Sequence, residues 1–242
     1  MAGIVAIGGG QASFSFVQKL KALGYSKRIT LVCGENIAPY QRPPLSKKFL
    51  LGEMSKNQLL LRPENYYHDN NVKLVLGKQV VRLDRNQKMI ELEDGSCLPY
   101  EKLFLGMGSN PRKLSIETKN IRRSVYYVRC VKDIELVSKQ FVTKRSLLII
   151  GGGYIGLEVA AVARSLGLKV TIIEAQERIL KRVASKHVAD YFRRLHKNNG
   201  VEIKEKVEAL ECVNGATIEI TWDPPWDKSM MSEDAKLALD IF

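Results

Sequence analysis

No two cysteines stand close together in this 242-residue chain: Cys33, Cys97, Cys130 and Cys212 form neither a C-x-x-C nor any other metal-ligand spacing. A cysteine-held metal site and a closely spaced redox pair are both excluded, and the expected location is a reducing cytoplasm. Histidine is scarce too, and His68, His187 and His196 each sit in polar sequence, which reads as surface placement rather than ligation or catalysis. No metal site is therefore expected. No apolar run approaches the roughly 18 residues of a membrane span, and the apolar N-terminus has no basic leader and passes straight into glycines. Acid is also in short supply: 26 Asp and Glu against 38 Lys and Arg leave a net charge of +12. Such an excess favours an acidic partner. The cations are scattered as pairs such as Lys27-Arg28, Lys47-Lys48 and Arg193-Arg194, which reads as a solvated surface. A nucleic-acid footprint would gather them into a patch or stripe. Neither nucleic acid nor membrane is an expected partner.

What is present is one design written twice. An apolar run, Ile4 to Ile7, meets Gly8-Gly9-Gly10. A helical pattern then carries Phe16, Val17, Leu20 and Leu23 to a stop at Gly24, and a second apolar run from Ile29 to Cys33 ends at Glu35. The same order returns later. Leu147 to Ile150 is the strand, Gly151, Gly153 and Gly156 make G-x-G-x-x-G, Tyr154 to Leu166 is the helix, and Val170 to Ile173 leads to Glu174.

The chemistry of a dinucleotide explains each part. The first glycine permits the tight turn, the second lets backbone approach a pyrophosphate, and the third lets helix and strand pack closely. The helix N-terminus offers free N–H groups and a positive dipole to the phosphates. An acid ending the next strand accepts hydrogen bonds from both hydroxyls of an adenosine ribose. In the first copy the third glycine is replaced by Ser13. In the second, Glu174 would repel a 2′-phosphate, and no cation follows before Arg178, so NADH is expected there rather than NADPH. The fold class is α/β, with two Rossmann-like dinucleotide-binding domains.

Between the copies runs NIAPYQRPPLSKKFLLGE, where Pro39, Pro43 and Pro44 exclude a regular helix and Ser46 could cap a short one beginning at Lys47. A proline-braced loop beside a dinucleotide site can hold side chains over a cofactor. Tyr66-Tyr67 and Tyr126-Tyr127 read as packing residues, and Phe14 and Phe16 as helix core.

PYQRPPLSK after the first glycine turn, the later GMGSNPR, and GGGYIGLEVAAVARSLGLKVTIIEAQERIL together resemble the FAD-dependent ferredoxin-NAD reductases, whose relatives include rubredoxin reductases and the apoptosis-inducing-factor flavoproteins. The resemblance runs from about Ile4 to Lys204. It implies that the first unit binds FAD, with Gly8, Gly10 and Ser13 at the pyrophosphate and Glu35 on the adenosine ribose. It also implies that Arg42 and Lys47 contact the flavin or its phosphates, that the backbone of Val80 meets the adenine, and that Gly108 and Arg129 lie on the flavin side near the domain junction. The second unit would bind NADH through Gly151, Gly153, Ile155, Gly156 and Glu174. Hydride would pass from NADH to FAD, and electrons then singly to an acidic, ferredoxin-like iron-sulfur protein, with no side chain acting as nucleophile. Lys47 and Glu158 would form a catalytic pair across the two domains at the ring-stacking site. Glu158 lies near the start of a helix among Leu157, Val159, Ala160 and Ala161, so a mostly buried position and a partner are expected.

Two departures from that family stand out. Gly106 and Met107 replace the usual alanine and threonine of the GMGSNPR segment. At the C-terminus VEALECVNGATIEITW carries a hairpin signal at Asn214-Gly215, after which DPPWDKSMMSEDAKLALDIF shows only a short helical pattern from about Ser232. The return strand, the glycine-aspartate segment that holds a flavin, and the third domain are not legible. The expected organisation is residues 1–110 as the first part of an FAD domain, 111–221 as an NAD domain and 222–242 as a diverged tail. An open sheet edge is expected in the first domain. The second reading of such a chain is a truncated or regulatory NAD(H)-binding module without turnover of its own.

Overall fold

A computed structural model describes residues 3–113 and 125–206. The hairpin expected at Asn214-Gly215 and the helix expected from Ser232 lie outside them.

In the first unit β1 (Ile4–Ile7) is a wholly buried strand of four apolar residues. It lies parallel between β2 (Ile29–Cys33) and β7 (Lys102–Leu105), and β3 (Val72–Leu76) extends the sheet beyond β2 in the order β3-β2-β1-β7. Buried on both faces, β1 and β2 read as near-continuous apolar runs, as central parallel strands do. Alternation along β1 decides what each residue meets. Ile4 and Ala6 face α1 (Gln11–Ala22), where Phe14 and Val17 complete a core with the buried Tyr67 of α3 (Glu64–Asp69), a short helix that follows α2 (Lys56–Leu59). Val5 and Ile7 face the opposite layer, an antiparallel meander in which Ile90, Leu92 and Tyr100 pack on Val32. That meander comprises β4 (Val80–Asp84), β5 (Met89–Leu92) and β6 (Cys97–Pro99). Among the described residues β7 pairs only with β1 and leaves its other edge open.

The second unit repeats the plan. β8 (Ser146–Ile150), β9 (Lys169–Glu174) and β10 (Val201–Glu205) make a parallel sheet in the order β10-β9-β8. α5 (Tyr154–Ser165) and α6 (Lys186–Asn198) accompany it, with Leu157, Ala160, Ala163 and Ala189 packed on Val170, Ile172 and Val201.

A further cluster joins the units. Tyr40, Leu45, Leu50 and Leu59, from the segment after β2, pack with Val131, Ile134 and Val137 of α4 (Val131–Val137) and with Val159 and Val162 of α5. The proline loop is thus packed against the helix that follows the second glycine turn. Its conformation differs from the expected short helix at Lys47: the prolines start a 3₁₀ turn over Pro43–Ser46, with Pro43 at a position where a missing N–H costs nothing, and Lys47 ends it.

The aromatic assignments divide. Phe14 is core, while Phe16 is half-buried and stacks on Phe104 at 4.1 Å. Tyr67 is fully buried, edge-on to Phe14, and Tyr66, Tyr126 and Tyr127 are half-buried. His68 and His187 are exposed, but His196 is not a surface residue: it is 7% exposed, and burial lowers its pKa below the ordinary value. The sequence KHVADYFRRLHKN hides this because the face that carries Ala189 and His196 toward the sheet is short of apolar residues.

Candidate functional site

The first glycine turn is built as a pyrophosphate cradle requires. Gly8 has φ +113° and its N–H donates to the Val32 carbonyl at 2.8 Å; a Cβ there would lie 2.1 Å from the Gly106 carbonyl oxygen. Only glycine fits that crossing. Gly10 caps α1 in extended conformation, and a Cβ on it would meet nothing within 4 Å, so its backbone is open to a ligand. Ser13 is fully buried and its Oγ donates to the Ile7 carbonyl at 3.3 Å.

Glu35, two residues past β2, is gripped on both oxygens: Arg42 Nη2 donates to Oε1 at 2.7 Å and the Tyr40 hydroxyl donates to Oε2 at 2.8 Å. Arg42 Nη1 also donates to the Tyr40 hydroxyl oxygen at 2.9 Å and to the Arg129 carbonyl at 2.6 Å. Burial, reinforced by the hydrogen bond to Glu35, holds the Tyr40 hydroxyl well above the ordinary tyrosine range. Gly108 (φ +68°) completes the group, since a Cβ on it would lie 3.4 Å from Arg129 Nη2. Val80 starts β4 opposite Leu92, beside the end of β2, where Lys78 N–H donates to the Cys33 carbonyl at 3.1 Å. The structure therefore links three stretches of sequence in a chain of contacts: Glu35 and Arg42 meet at Tyr40, Arg42 reaches the Arg129 carbonyl, and Gly108 lies against the Arg129 guanidinium. Cys33 lies behind Gly9, where burial, with a contribution from Glu35, pushes its thiol up to about 12. It is a packing residue, not a reactive one.

The second turn repeats the geometry. Gly151 has φ +103°, Gly153 caps α5 with open space where a Cβ would be, and a Cβ on Gly156 would lie 2.2 Å from the Gly151 carbonyl oxygen. Ile155, in the first turn of α5, is 53% exposed. Glu174 is buried, and its Oε2 accepts from Gly152 N–H at 2.7 Å while Oε1 accepts from Gln176 N–H at 2.9 Å. The acid at the strand end thus braces the glycine turn itself. Arg178, the first cation after it, donates to the carbonyls of Ile179, Lys181 and Ala184 at 3.3, 3.3 and 2.9 Å.

At the junction, Lys47 Nζ lies 2.8 Å from Glu158 Oε1. The Ser46 hydroxyl donates to the other oxygen, Oε2, at 2.5 Å. The side chain of Glu158 is 30% exposed, more than its apolar neighbours suggested, because the carboxylate reaches out of the helix face toward the loop. Lys47 and Glu158 meet as the resemblance implied, whereas no motif marked Tyr40 or Ser46. Their signal was position alone, two residues before Arg42 and one before Lys47.

The residues fit two dinucleotides. Each unit has a glycine turn with unobstructed backbone at the second glycine, a 12-residue helix whose N-terminus faces it, and an acid at the end of the next strand (Glu174) or two residues past it (Glu35). Among the described residues no cluster of metal-ligating side chains exists, Cys33, Cys97 and Cys130 are unpaired, and no helix is long and apolar enough to cross a membrane.

Residues 2–222 match the family model described as pyridine nucleotide-disulphide oxidoreductase. The chain is 39% identical over 220 residues to rhodocoxin reductase of Rhodococcus erythropolis, covering 90% of this chain and 51% of that protein. It is 36% identical over 214 residues to rubredoxin-NAD(+) reductase of Pseudomonas putida, covering 88% and 55%. Among solved structures, the covalent putidaredoxin reductase-putidaredoxin complex superposes with a TM-score of 0.81 at 34% identity, over 85% of this chain and 50% of that one. The chain spans about half the length of the curated relatives it matches.

Proposed function

The chain belongs to the pyridine nucleotide-disulphide oxidoreductase family, and from that membership we propose that it is the two-nucleotide core of an FAD-dependent NADH oxidoreductase that delivers electrons to an acidic, ferredoxin-like iron-sulfur protein in the cytoplasm. One observation carries this reading: the loop after the first nucleotide turn and the helix after the second are joined, through Ser46, Lys47 and Glu158, at the place where a flavin and a nicotinamide would have to meet. The proposed division is residues 1–110 for FAD and 111–221 for NADH, with 222–242 as a tail.

When bound, FAD accepts a hydride and releases electrons singly, so the difficult chemistry is the cofactor's. The chain's own residues bind and orient. Gly8, Gly10 and the N-terminus of α1 would hold the FAD pyrophosphate, with Ser13 packing the turn from beneath. Glu35 would take the adenosine ribose hydroxyls and Val80 backbone the adenine; Arg42, paired with Glu35, and Lys47 would contact the flavin or its phosphates, and Gly108 and Arg129 would lie on the flavin side. Gly151, Gly153, Ile155, Gly156 and Glu174 would hold NADH. The commitment of Arg178 to three carbonyls leaves a 2′-phosphate facing Glu174 without that cation, which supports NADH over NADPH. The +12 charge suits an acidic protein acceptor, and the names of the relatives supply the acceptor class.

The test is to incubate the purified chain with FAD, remove the excess and add NADH anaerobically. A retained yellow chromophore that NADH bleaches supports the proposal. A chain that quenches NADH fluorescence but retains no flavin is instead the nucleotide-binding module without turnover.

A further inference from the structure

We infer that Ser46 is a positioning residue of the junction: its hydroxyl anchors one oxygen of Glu158 so that the other is presented to Lys47. This deepens the oxidoreductase reading and rests on it. Ser46 is 4% exposed, whereas the side chains of Lys47 and Glu158 are 48% and 30% exposed. A half-exposed ion pair between two flexible side chains fixes little geometry by itself. The serine supplies the fixed point. Its hydroxyl has one hydrogen and two acceptors in range, Glu158 Oε2 at 2.5 Å and the Pro43 carbonyl at 3.5 Å. The shorter contact falls in the range of a charge-assisted O–H···O⁻ bond, so the hydrogen belongs to Glu158.

The backbone places that hydrogen. Pro43 and Pro44 start the 3₁₀ turn that ends at Ser46, and Leu45 is packed in the cluster shared with Val159 and Val162 of α5, one and four residues after Glu158 in the helix. Lys47 Nζ is tethered back to the Pro43 carbonyl at 3.2 Å, so the same turn steers both donors toward the one carboxylate. The glutamate is held in a two-point clamp, with each oxygen assigned to a different donor. The clamp belongs to neither unit alone.

The experiment uses the full chain and the variants Ser46→Ala, Glu158→Gln and the double variant. Without cofactor, thermal unfolding of the cycle should be non-additive, because the serine acts through the glutamate. With FAD bound, stopped-flow mixing with NADH should show Ser46→Ala lowering the limiting rate of flavin reduction by up to about a hundredfold, the scale of a group misplaced by about 1 Å. The NADH concentration at half-saturation should be little changed, and in the Glu158→Gln background Ser46→Ala should have no further effect on rate. A limiting rate equal to that of the wild type, or an equal loss in the Glu158→Gln background, overturns the inference alone. A wild-type chain that binds FAD and is not reduced by NADH overturns the oxidoreductase reading and the inference together.

Discussion

Replacing Gly106 with alanine should destabilise the first nucleotide turn, and replacing Ser13 with glycine in the same chain should restore it. A Cβ at Gly106 would stand 2.3 Å from Ser13 Oγ and 2.9 Å from Phe104 Cε1, closer than real Cβ contacts come. Ser13 has no room to give, being fully buried in α1 with its hydroxyl on the Ile7 carbonyl. The methyl is accommodated in one of two ways. If the hydroxyl turns away, it is left buried and unpaired at about 1–3 kcal/mol. If instead the end of β7 moves off α1, the overpacking costs typically about 1–3 kcal/mol. For a chain of this length each kcal/mol is worth roughly 2–4 °C, so the melting temperature should fall by about 2–12 °C. FAD binding should weaken with it, because Gly106 backs directly onto Gly8. Ser13→Gly alone removes one hydrogen bond and places a glycine in a helix, together a loss of about 1–2 kcal/mol. The double variant Ser13→Gly/Gly106→Ala removes the hydroxyl that the new methyl would strike and should recover most of the stability that Gly106→Ala loses. Thermal unfolding of the four chains followed by circular dichroism, together with FAD titration, measures the coupling. If Gly106→Ala melts with the wild type, or if the two changes simply add, positions 13 and 106 are uncoupled and the reasoning is wrong.

Three further outcomes are expected. Gly10→Val and Gly153→Val should fold normally, since both residues have extended backbone and open space around a Cβ. The first should abolish FAD retention alone and the second NADH binding alone, read by flavin absorbance and NADH fluorescence. Glu174→Ala should lower stability by about 1–3 kcal/mol by stripping the buried N–H of Gly152 of its acceptor, and should raise the affinity for NADPH relative to NADH in competition titrations. His196 has a folded pKa depressed by burial, so the unfolded chain binds the proton more readily. The stability due to its neutral form is present above the unfolded value near 6.5 and is lost as pH falls through the folded value. The wild type should therefore lose stability on acidification through that window more steeply than His196→Gln, as urea unfolding across a pH series will show.

Sequence alone determined the two strand-turn-helix-strand units, their glycines and terminal acids, because these are local demands: a backbone at positive φ at Gly8 and Gly151, an apolar strand buried on both faces, a helix stopped at glycine. Each is written within about 30 residues, and the pairing of Lys47 with Glu158 followed from the resemblance that those motifs carried. Tertiary structure alone decided what lies between such stretches. Tyr40 and Ser46 became visible only when a loop folded onto Glu35 and Glu158, with Ser46 and Glu158 112 positions apart. The burial of His196 depended on which face of α6 met the sheet, and the role of Glu174 as a brace depended on the turn curling back over its carboxylate. Likewise Ser13 and Gly106 read as two separate departures from a pattern until parallel pairing of β1 and β7 set them in contact. Hydrogen-bonded and packed neighbours are fixed by three-dimensional proximity, which residue order encodes only where the chain is short enough for the geometry to be local.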